Sequence, residues 1–329
     1  MRFSEYMQAW LYGDSGYYSS YAPIGKDGDF YTAVSSSKFF GGTIAQHIIS
    51  TIDEGFLSPD AHICEIGAHR GYLLADIIEF IYTLRPELLK SLKFCVVERY
   101  EKLRAEQKSY FEASFGKAID LLQYSSLEQM RVDECFFIAN EIFDAFTCEL
   151  LHNEKFARLQ DHKVLFDIED QQLLKRAKAL GIERGEIAVG YEQFAIDISK
   201  SAKVYEFMSF DYGQMRSRGD FSIRVYKEHE VFAFFDEQID HLQLFQKSDI
   251  TYDVNFSHLQ SAFSEAGVEM VEFKTQLKAL VDMGIISLLE ILKERRGDKI
   301  YTQELEKVKR LILPEFQGER FKMIRFRKG

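Results

Sequence analysis

Residues 62–76, His-Ile-Cys-Glu-Ile-Gly-Ala-His-Arg-Gly-Tyr-Leu-Leu-Ala-Asp, constrain the fold more than any other stretch of this chain. The apolar run ending at Ile66 reads as a buried strand. Gly67 and Gly71 then make a tight turn, and an apolar-periodic segment opens a helix. A strand, a glycine turn and a helix in that order form a βα unit. The free N–H groups and positive dipole end of such a helix receive nucleotide-like ligands.

The chain around this unit continues the alternation. Strand Ile63–Ile66, helix 72–83, strand Lys93–Glu98, helix 100–113, a weak strand near 118–124 and strand Cys135–Asn140 follow one another, which calls for a parallel sheet with crossover helices. The loop lacks the dinucleotide pattern G-x-G-x-x-G. Instead, Glu65 stands two residues before Gly67, with Ala68 between the glycines. A carboxylate there suits a cofactor with a positively charged amino group, such as the methionyl part of S-adenosylmethionine; a purely structural turn is the competing reading. Glu98 ends the next strand, where a carboxylate accepts both ribose hydroxyls. A solvated acid opening a helix is its bland alternative. After the fourth strand comes Ala139-Asn140-Glu141-Ile142-Phe143-Asp144-Ala145-Phe146. On a helical turn Glu141 and Asp144 would face the same way, and two carboxylates clamp a planar guanidinium. A helix cap with a first-turn acid competes with that reading.

Elsewhere the sequence predicts a helix over 4–12, a turn cluster at Gly25–Phe30 and a helix over 36–53. Next come a β-rich excursion over 151–175 and a helix over 186–201. Strand Val204–Phe210 runs into Asp211-Tyr212-Gly213, and Tyr212 is a candidate for the substrate mouth. An aromatic, loop-rich region spans 214–256. The remainder reads as helix 256–266, strand 268–274, one long amphipathic helix over 276–295 and strand Phe321–Phe326. With 329 residues and 46% hydrophobic content the chain is long enough for one large core carrying insertions. Residues 1–60 then form an N-terminal helical segment covering the cofactor site, and 61–329 a core with insertions near 151–200, 214–260 and 276–318.

The net charge of −11, with no basic block, disfavours nucleic acid as a partner. No stretch has the roughly 20 apolar residues of a membrane span, and the N-terminus has no signal-peptide pattern, so a cytoplasmic protein is expected. Cys64, Cys95, Cys135 and Cys148 form no C-x-x-C pair and read as buried, reduced thiols. The histidines show no metal-ligand spacing, and there is no G-x-S-x-G elbow.

These segments together resemble the MidA family, also known as DUF185. The resemblance runs nearly end to end. It is carried by Gly28-Asp29-Phe30-Tyr31-Thr32-Ala33 with Phe40-Gly41, by Glu65-Ile66-Gly67-Ala68, and by Val97-Glu98 with Leu103-Arg104-Ala105-Glu106-Gln107. Asn140-Glu141-Ile142-Phe143-Asp144-Ala145, Asp211-Tyr212-Gly213, Asp249-Ile250-Thr251, Met283-Gly284-Ile285 and Gly318-Glu319-Arg320-Phe321-Lys322 complete it. It implies a class I methyltransferase: a Rossmann-like α/β fold with a seven-stranded, mostly parallel sheet, an N-terminal helical extension and insertions. It also implies S-adenosylmethionine as cofactor, held by Glu65, Gly67, Ala68, Gly71, Glu98 and Asn140 and covered by Asp29, Phe30 and Thr32. Mitochondrial members of the family methylate arginine of a respiratory complex I subunit, so the implied acceptor is a protein arginine, with Glu141 and Asp144 as catalytic residues. The alternatives are an assembly factor with impaired catalysis and a small-molecule methyltransferase. This sequence departs from the family pattern at His69, which replaces the middle loop glycine, at Thr147, which replaces a proline, and at Asp220–Ile223, where a glycine-rich tract is altered. If position 69 has a positive φ, histidine there costs on the order of 1 kcal/mol.

Overall fold

The computed structural model describes residues 1–20, 33–228 and 230–329. From the N-terminus, α1 (Phe3–Tyr12) and α2 (Ala33–Ser36) precede α3 (Phe39–Asp53). Then β1 (His62–Ile66), α4 (Tyr72–Leu84), β2 (Lys93–Val97), α5 (Glu101–Phe115), β3 (Leu121–Tyr124) and β4 (Val132–Asn140) alternate. Next come β5 (Cys148–His152), β6 (Lys155–Gln160), β7 (Lys163–Ile168), α6 (Gln171–Ala179), β8 (Gly185–Ala188), α7 (Tyr191–Ser201) and β9 (Ala202–Gln214). The remainder holds β10 (Arg224–Lys227), β11 (Glu230–Ala233), α8 (His241–Leu244), β12 (Asp249–Thr251), β13 (Val254–Asn255), α9 (Phe256–Glu265) and β14 (Glu269–Thr275). It ends with α10 (Gln276–Asp282), α11 (Ile285–Arg296), α12 (Asp298–Ile312) and β15 (Phe321–Lys328).

The chain divides into two compact units. One comprises Thr32–Glu141, Ala195–Asp211 and Phe263–Gly329. Its sheet has the strand order β14-β15-β9-β4-β1-β2-β3. The run β9-β4-β1-β2-β3 is parallel throughout, and β14 is antiparallel to β15. This is the expected seven-stranded, mostly parallel sheet. Its central strands, β1, β2 and β4, are apolar on both faces over most of their length, as central parallel strands are. Ile63, Phe94, Val96, Phe136, Ile138, Met208 and Phe210 join a core with α3 and α4. From α4, Leu73, Leu74, Ile77, Ile78 and Ile81 are buried there, each stabilising by roughly 1.5–3 kcal/mol. In the alternate positions Cys64 lies opposite Cys95, and Phe207, Phe263 and Phe326 stack. Cys64, Cys95, Cys135 and Cys148 are all buried free thiols.

The other unit comprises Met1–Tyr31, Ile142–Phe194 and Tyr212–Ala262. It holds an antiparallel sheet β7-β6-β5-β8 and a three-stranded antiparallel sheet β11-β10-β12. Phe3, Tyr6, Met7, Trp10 and Leu11 of α1 are buried. The excursion over 151–175 is β-rich as expected, and the loop-rich 214–256 region is organised around β10–β13.

Three expectations from the sequence are corrected. The helix over 186–201 starts only at Tyr191, because Gly185–Ala188 pair with β5 and Gly190 has φ +106°. The long helix over 276–295 is two helices. Gly284 sits at φ +92°, a left-handed break that caps α11, and the Gln46 side chain occupies the space its Cβ would need. The chain past Asn140 is not helical: Glu141 takes φ +53° and residues 142–147 form an irregular segment leading to β5. A helical turn therefore does not align Glu141 with Asp144. α12 goes beyond the sequence reading, because only Val308 and Leu311 of this charged helix are buried and its apolar period is thin.

Candidate functional site

The loop after β1 is built by its own backbone. Gly67 (φ +70°), His69 (φ +46°) and Gly71 (φ +79°) are all left-handed. Gly67 N–H donates to Val97 O at 3.0 Å and Gly71 N–H to Ala68 O at 2.7 Å. A Cβ on Gly71 would lie 2.9 Å from the Phe111 ring. Histidine thus does occupy a left-handed position. The loop is held there from outside, since the buried Gln107 donates Nε2–H to His69 O at 2.8 Å. Burial, aided by Arg70, pushes the His69 imidazole down to about 4, so the ring is neutral near pH 7.

Glu65 is buried beside this loop, and its Oε2 accepts Leu74 N–H at 3.0 Å, capping α4 from the strand. Burial pushes its carboxyl up to about 8 against that hydrogen bond. The charged groups acting on it, Asp76 and Glu98, are both acidic and raise it further. Asp76 is itself pushed up to about 7 by burial, opposed by Lys38 at 3.6 Å. Glu98 is buried just past β2, accepts Tyr100 N–H at 3.1 Å and is raised by burial.

Register brings these groups together. Ile66 lies opposite Val97 on one side and Ala139 on the other, so Glu65, Gly67, Ala68, Glu98, Asn140 and Glu141 gather at the carboxyl ends of β1, β2 and β4. In an open α/β sheet that end binds the ligand. Asn140 Nδ2–H donates to Glu141 Oε1 at 2.8 Å, while Asn140 Oδ1 is buried with no hydrogen-bond partner among the described residues. Glu141 Oε1 also accepts Ala33 N–H at 3.3 Å, and Glu141 N–H donates to Phe210 O at 2.8 Å. Holding a glutamate in left-handed backbone costs on the order of 1 kcal/mol, a strain that clusters at functional positions.

Asp144 belongs to the second unit. It is buried, and Tyr212 Oη donates to its Oδ2 at 2.6 Å. Burial raises its carboxyl, opposed by that hydrogen bond and by Arg224. Asp29, Phe30 and Thr32, with the turn cluster at Gly25–Phe30, lie outside the described residues, as does His229. Among the described residues no cluster of His, Cys, Asp and Glu is arranged to hold a metal ion, and no helix is long and apolar enough to cross a membrane. The sequence reading missed Asp76 as an acidic neighbour of Glu65, Gln107 as the brace of the loop and Thr251 as a partner of Tyr212. The last two sit in the segments that carry the family resemblance.

These groups fit a cofactor with a cationic amino-acid end. Among the described residues, the charged groups acting on the buried Glu65 are acidic, and the buried Asn140 Oδ1 has no hydrogen-bond partner. The His69→Gly variant relieves the left-handed strain while keeping the Gln107 bond to the backbone. It is expected to raise stability by up to about 1 kcal/mol in urea unfolding and to leave cofactor binding intact.

Known proteins place the chain. Residues 43–274 match the family described as "Putative S-adenosyl-L-methionine-dependent methyltransferase". The mitochondrial protein arginine methyltransferase NDUFAF7 of Danio rerio is 26% identical over 343 residues, covering 93% of this chain and 78% of the relative. The Homo sapiens protein of the same name is 25% identical over 358 residues, covering 97% and 78%. A COG1565 superfamily protein of Burkholderia thailandensis, solved bound to S-adenosyl-homocysteine, superposes with a TM-score of 0.83 at 22% identity, covering 100% of this chain and 88% of that one. The fold is therefore the class I methyltransferase fold implied by the motifs, with N-terminal helices and inserted sheets. The match over most of its length makes this chain a member of the S-adenosyl-L-methionine-dependent methyltransferase family that its loop motifs resemble.

Proposed function

We propose that this protein transfers the methyl group of S-adenosylmethionine to an arginine of a protein substrate. The observation that carries the reading is the acid-lined end of the parallel sheet, where the charged groups acting on the buried Glu65 among the described residues are the carboxyls of Asp76 and Glu98. Glu65 takes the cofactor's ammonium, Glu98 the ribose hydroxyls, Asn140 Oδ1 a further donor, and the turn Gly67–Gly71, with Ala68, the backbone approach. Asp29, Phe30 and Thr32 are assigned to cover it. When bound, the cofactor supplies an electrophilic methyl on sulfur. The chain's own task is to align the acceptor nitrogen and exclude water. Arginine stays protonated near pH 7, so a carboxylate that orients its guanidinium is needed to make one nitrogen a usable nucleophile. Glu141 and Asp144 are assigned that task. Support comes from the names of the mitochondrial relatives, from the strained backbone of Glu141, and from the hydrogen bond that fixes Asp144.

Against an impaired member stands the loop itself: the left-handed turn closes around His69, and Gln107 braces it. Calorimetry with S-adenosylmethionine and S-adenosyl-homocysteine should give micromolar binding. Tritiated methyl should enter protein of the source cells' extract and be recovered as methylarginine after acid hydrolysis. Absence of binding at millimolar cofactor would end the reading. Label recovered only in small molecules would replace arginine with a small acceptor.

A further inference from the structure

The unit that holds the two antiparallel sheets carries an exposed aromatic patch. Between ring centroids, Phe235 lies 4.7 Å from Phe221 and 6.4 Å from Phe166, and Phe166 stacks on Phe221 at 5.8 Å. Phe166 belongs to β7, an edge strand of its sheet, and Phe221 to the loop before β10. Phe235 sits in a turn just past β11, where Asp236 N–H donates to Ala233 O at 2.9 Å, and is 40% exposed. Contiguous exposed apolar surface rimmed by polar residues marks interaction sites, and aromatic rings are enriched where proteins meet.

Two features say what this patch takes. The first is an arginine already on it. The guanidinium carbon of Arg184 lies 5.1 Å from the Phe221 centroid, and its Nε pairs with Asp220 at 2.9 Å. A ring and a carboxylate together thus hold a guanidinium here. Arg224 is held in the same way within this unit, 4.9 Å from the Tyr212 centroid and paired with Asp253. The second feature is charge. Residues 230–240 carry Glu230, Asp236, Glu237 and Asp240 and no lysine or arginine, and all four acids are exposed. At Phe235 a ring and neighbouring carboxylates, the elements that hold Arg184, stand together at the surface.

We propose that the patch of Phe166, Phe221 and Phe235 is a docking surface for an arginine-bearing segment of a partner protein. A partner guanidinium lies on the exposed Phe235 ring with Asp236 and Glu237 as its carboxylates, and its aliphatic stem packs along the neighbouring rings. Lysine fits less well, because an ammonium lacks the planar face that stacks and the fork of donors that meets a carboxylate. An acidic segment is repelled by the four carboxylates. The inference stands apart from methyl transfer, since it concerns binding at a face of this unit alone.

The test uses the full-length protein and three short fluorescent peptides, identical except that arginine, lysine or glutamate alternates with serine, with binding read by fluorescence anisotropy. The arginine peptide is expected to bind, the lysine peptide several-fold more weakly, and the glutamate peptide not at all. Phe235→Ser should lower affinity for the arginine peptide about fivefold. Asp236→Asn with Glu237→Gln should lower it about tenfold and flatten its dependence on salt. Glu290→Gln with Glu294→Gln, the same change of charge on exposed positions of α11, should leave it unaltered, which separates a local site from general attraction to an acidic protein. The exposed acid pair serves if Phe235→Ser does not fold. An arginine peptide that fails to bind, that binds no better than the lysine peptide, or that binds the two patch variants as well as the unaltered protein overturns the inference. So does a dimer in sedimentation that Phe235→Ser dissociates, which would give the patch to a second copy of this chain.

Discussion

Glu65→Gln is expected to weaken S-adenosylmethionine binding on the order of a hundredfold while leaving the protein folded, because a neutral amide forgoes a charged hydrogen bond to the ligand's ammonium. The amide oxygen still accepts Leu74 N–H, so the cap on α4 survives. The unaltered protein adds a pH signature. Its Glu65 carboxyl sits at about 8, so near pH 7 the free protein keeps the proton and must release it when a cation arrives. Affinity therefore rises as pH increases towards 8 and levels above it, with proton release measurable by calorimetry in buffers of different ionisation enthalpy. The stability consequence has the opposite sign. The folded state holds this proton more tightly than the unfolded chain, whose glutamate titrates near 4.3, so this group's contribution falls as pH rises from the unfolded value towards 8. In Glu65→Gln both dependences vanish. Unchanged affinity in that variant would falsify the assignment of Glu65 to the ammonium.

Glu206→Gln is expected to destabilise the fold by about 3–5 kcal/mol, since removing one partner of a buried charge cluster strands the others. Glu206 has no exposed side-chain surface. Its Oε1 accepts from Arg325 Nη1 at 2.8 Å and contacts His47 Nε2 at 2.5 Å, and its Oε2 accepts Arg327 Nε at 2.6 Å. Burial pushes this carboxyl up, yet His47 and Arg325 outweigh burial and bring it down to about 2. A depressed carboxylate stabilises the fold above its unfolded value near 4.3 and loses that contribution as pH falls towards 2. Urea midpoints between pH 7 and pH 2 should thus drop steeply for the unaltered protein and far less for Glu206→Gln. Equal acid sensitivity of the two would remove Glu206 from the account.

The contrast between these two glutamates shows where sequence reading succeeds. Glu65 is legible because a glycine turn after an apolar strand fixes the local geometry within a few residues, and the strands around it announce themselves by apolar runs. Glu206 is silent in sequence: it sits inside the strand that reads Val204–Phe210, and its partners come from His47 and from β15, more than a hundred residues away. Local signals also misled where two rules competed. Residues 276–295 have helical spacing across Gly284, and only the Gln46 side chain lodged against that glycine explains the break. The Glu141–Asp144 spacing suits a helix, but Glu141 N–H is taken by Phe210 O, which carries the chain away from a helical path. Tyr212 was visible as a strand-end aromatic, whereas Thr251 joins it only through tertiary pairing.

The buried thiols described in the fold carry a practical consequence. Cys64, Cys95 and Cys135 lie in the parallel sheet of one unit, and Cys148 begins β5 of the other. A thiol-specific reagent can reach none of them without an opening of the surrounding structure. Labelling rates resolved by peptide mass then act as two clocks in one molecule, one ticking with excursions of the parallel sheet and one with those of the inserted sheets. Adding S-adenosyl-homocysteine should slow the first clock by an amount that reads its binding energy directly, with no engineered probe in the chain.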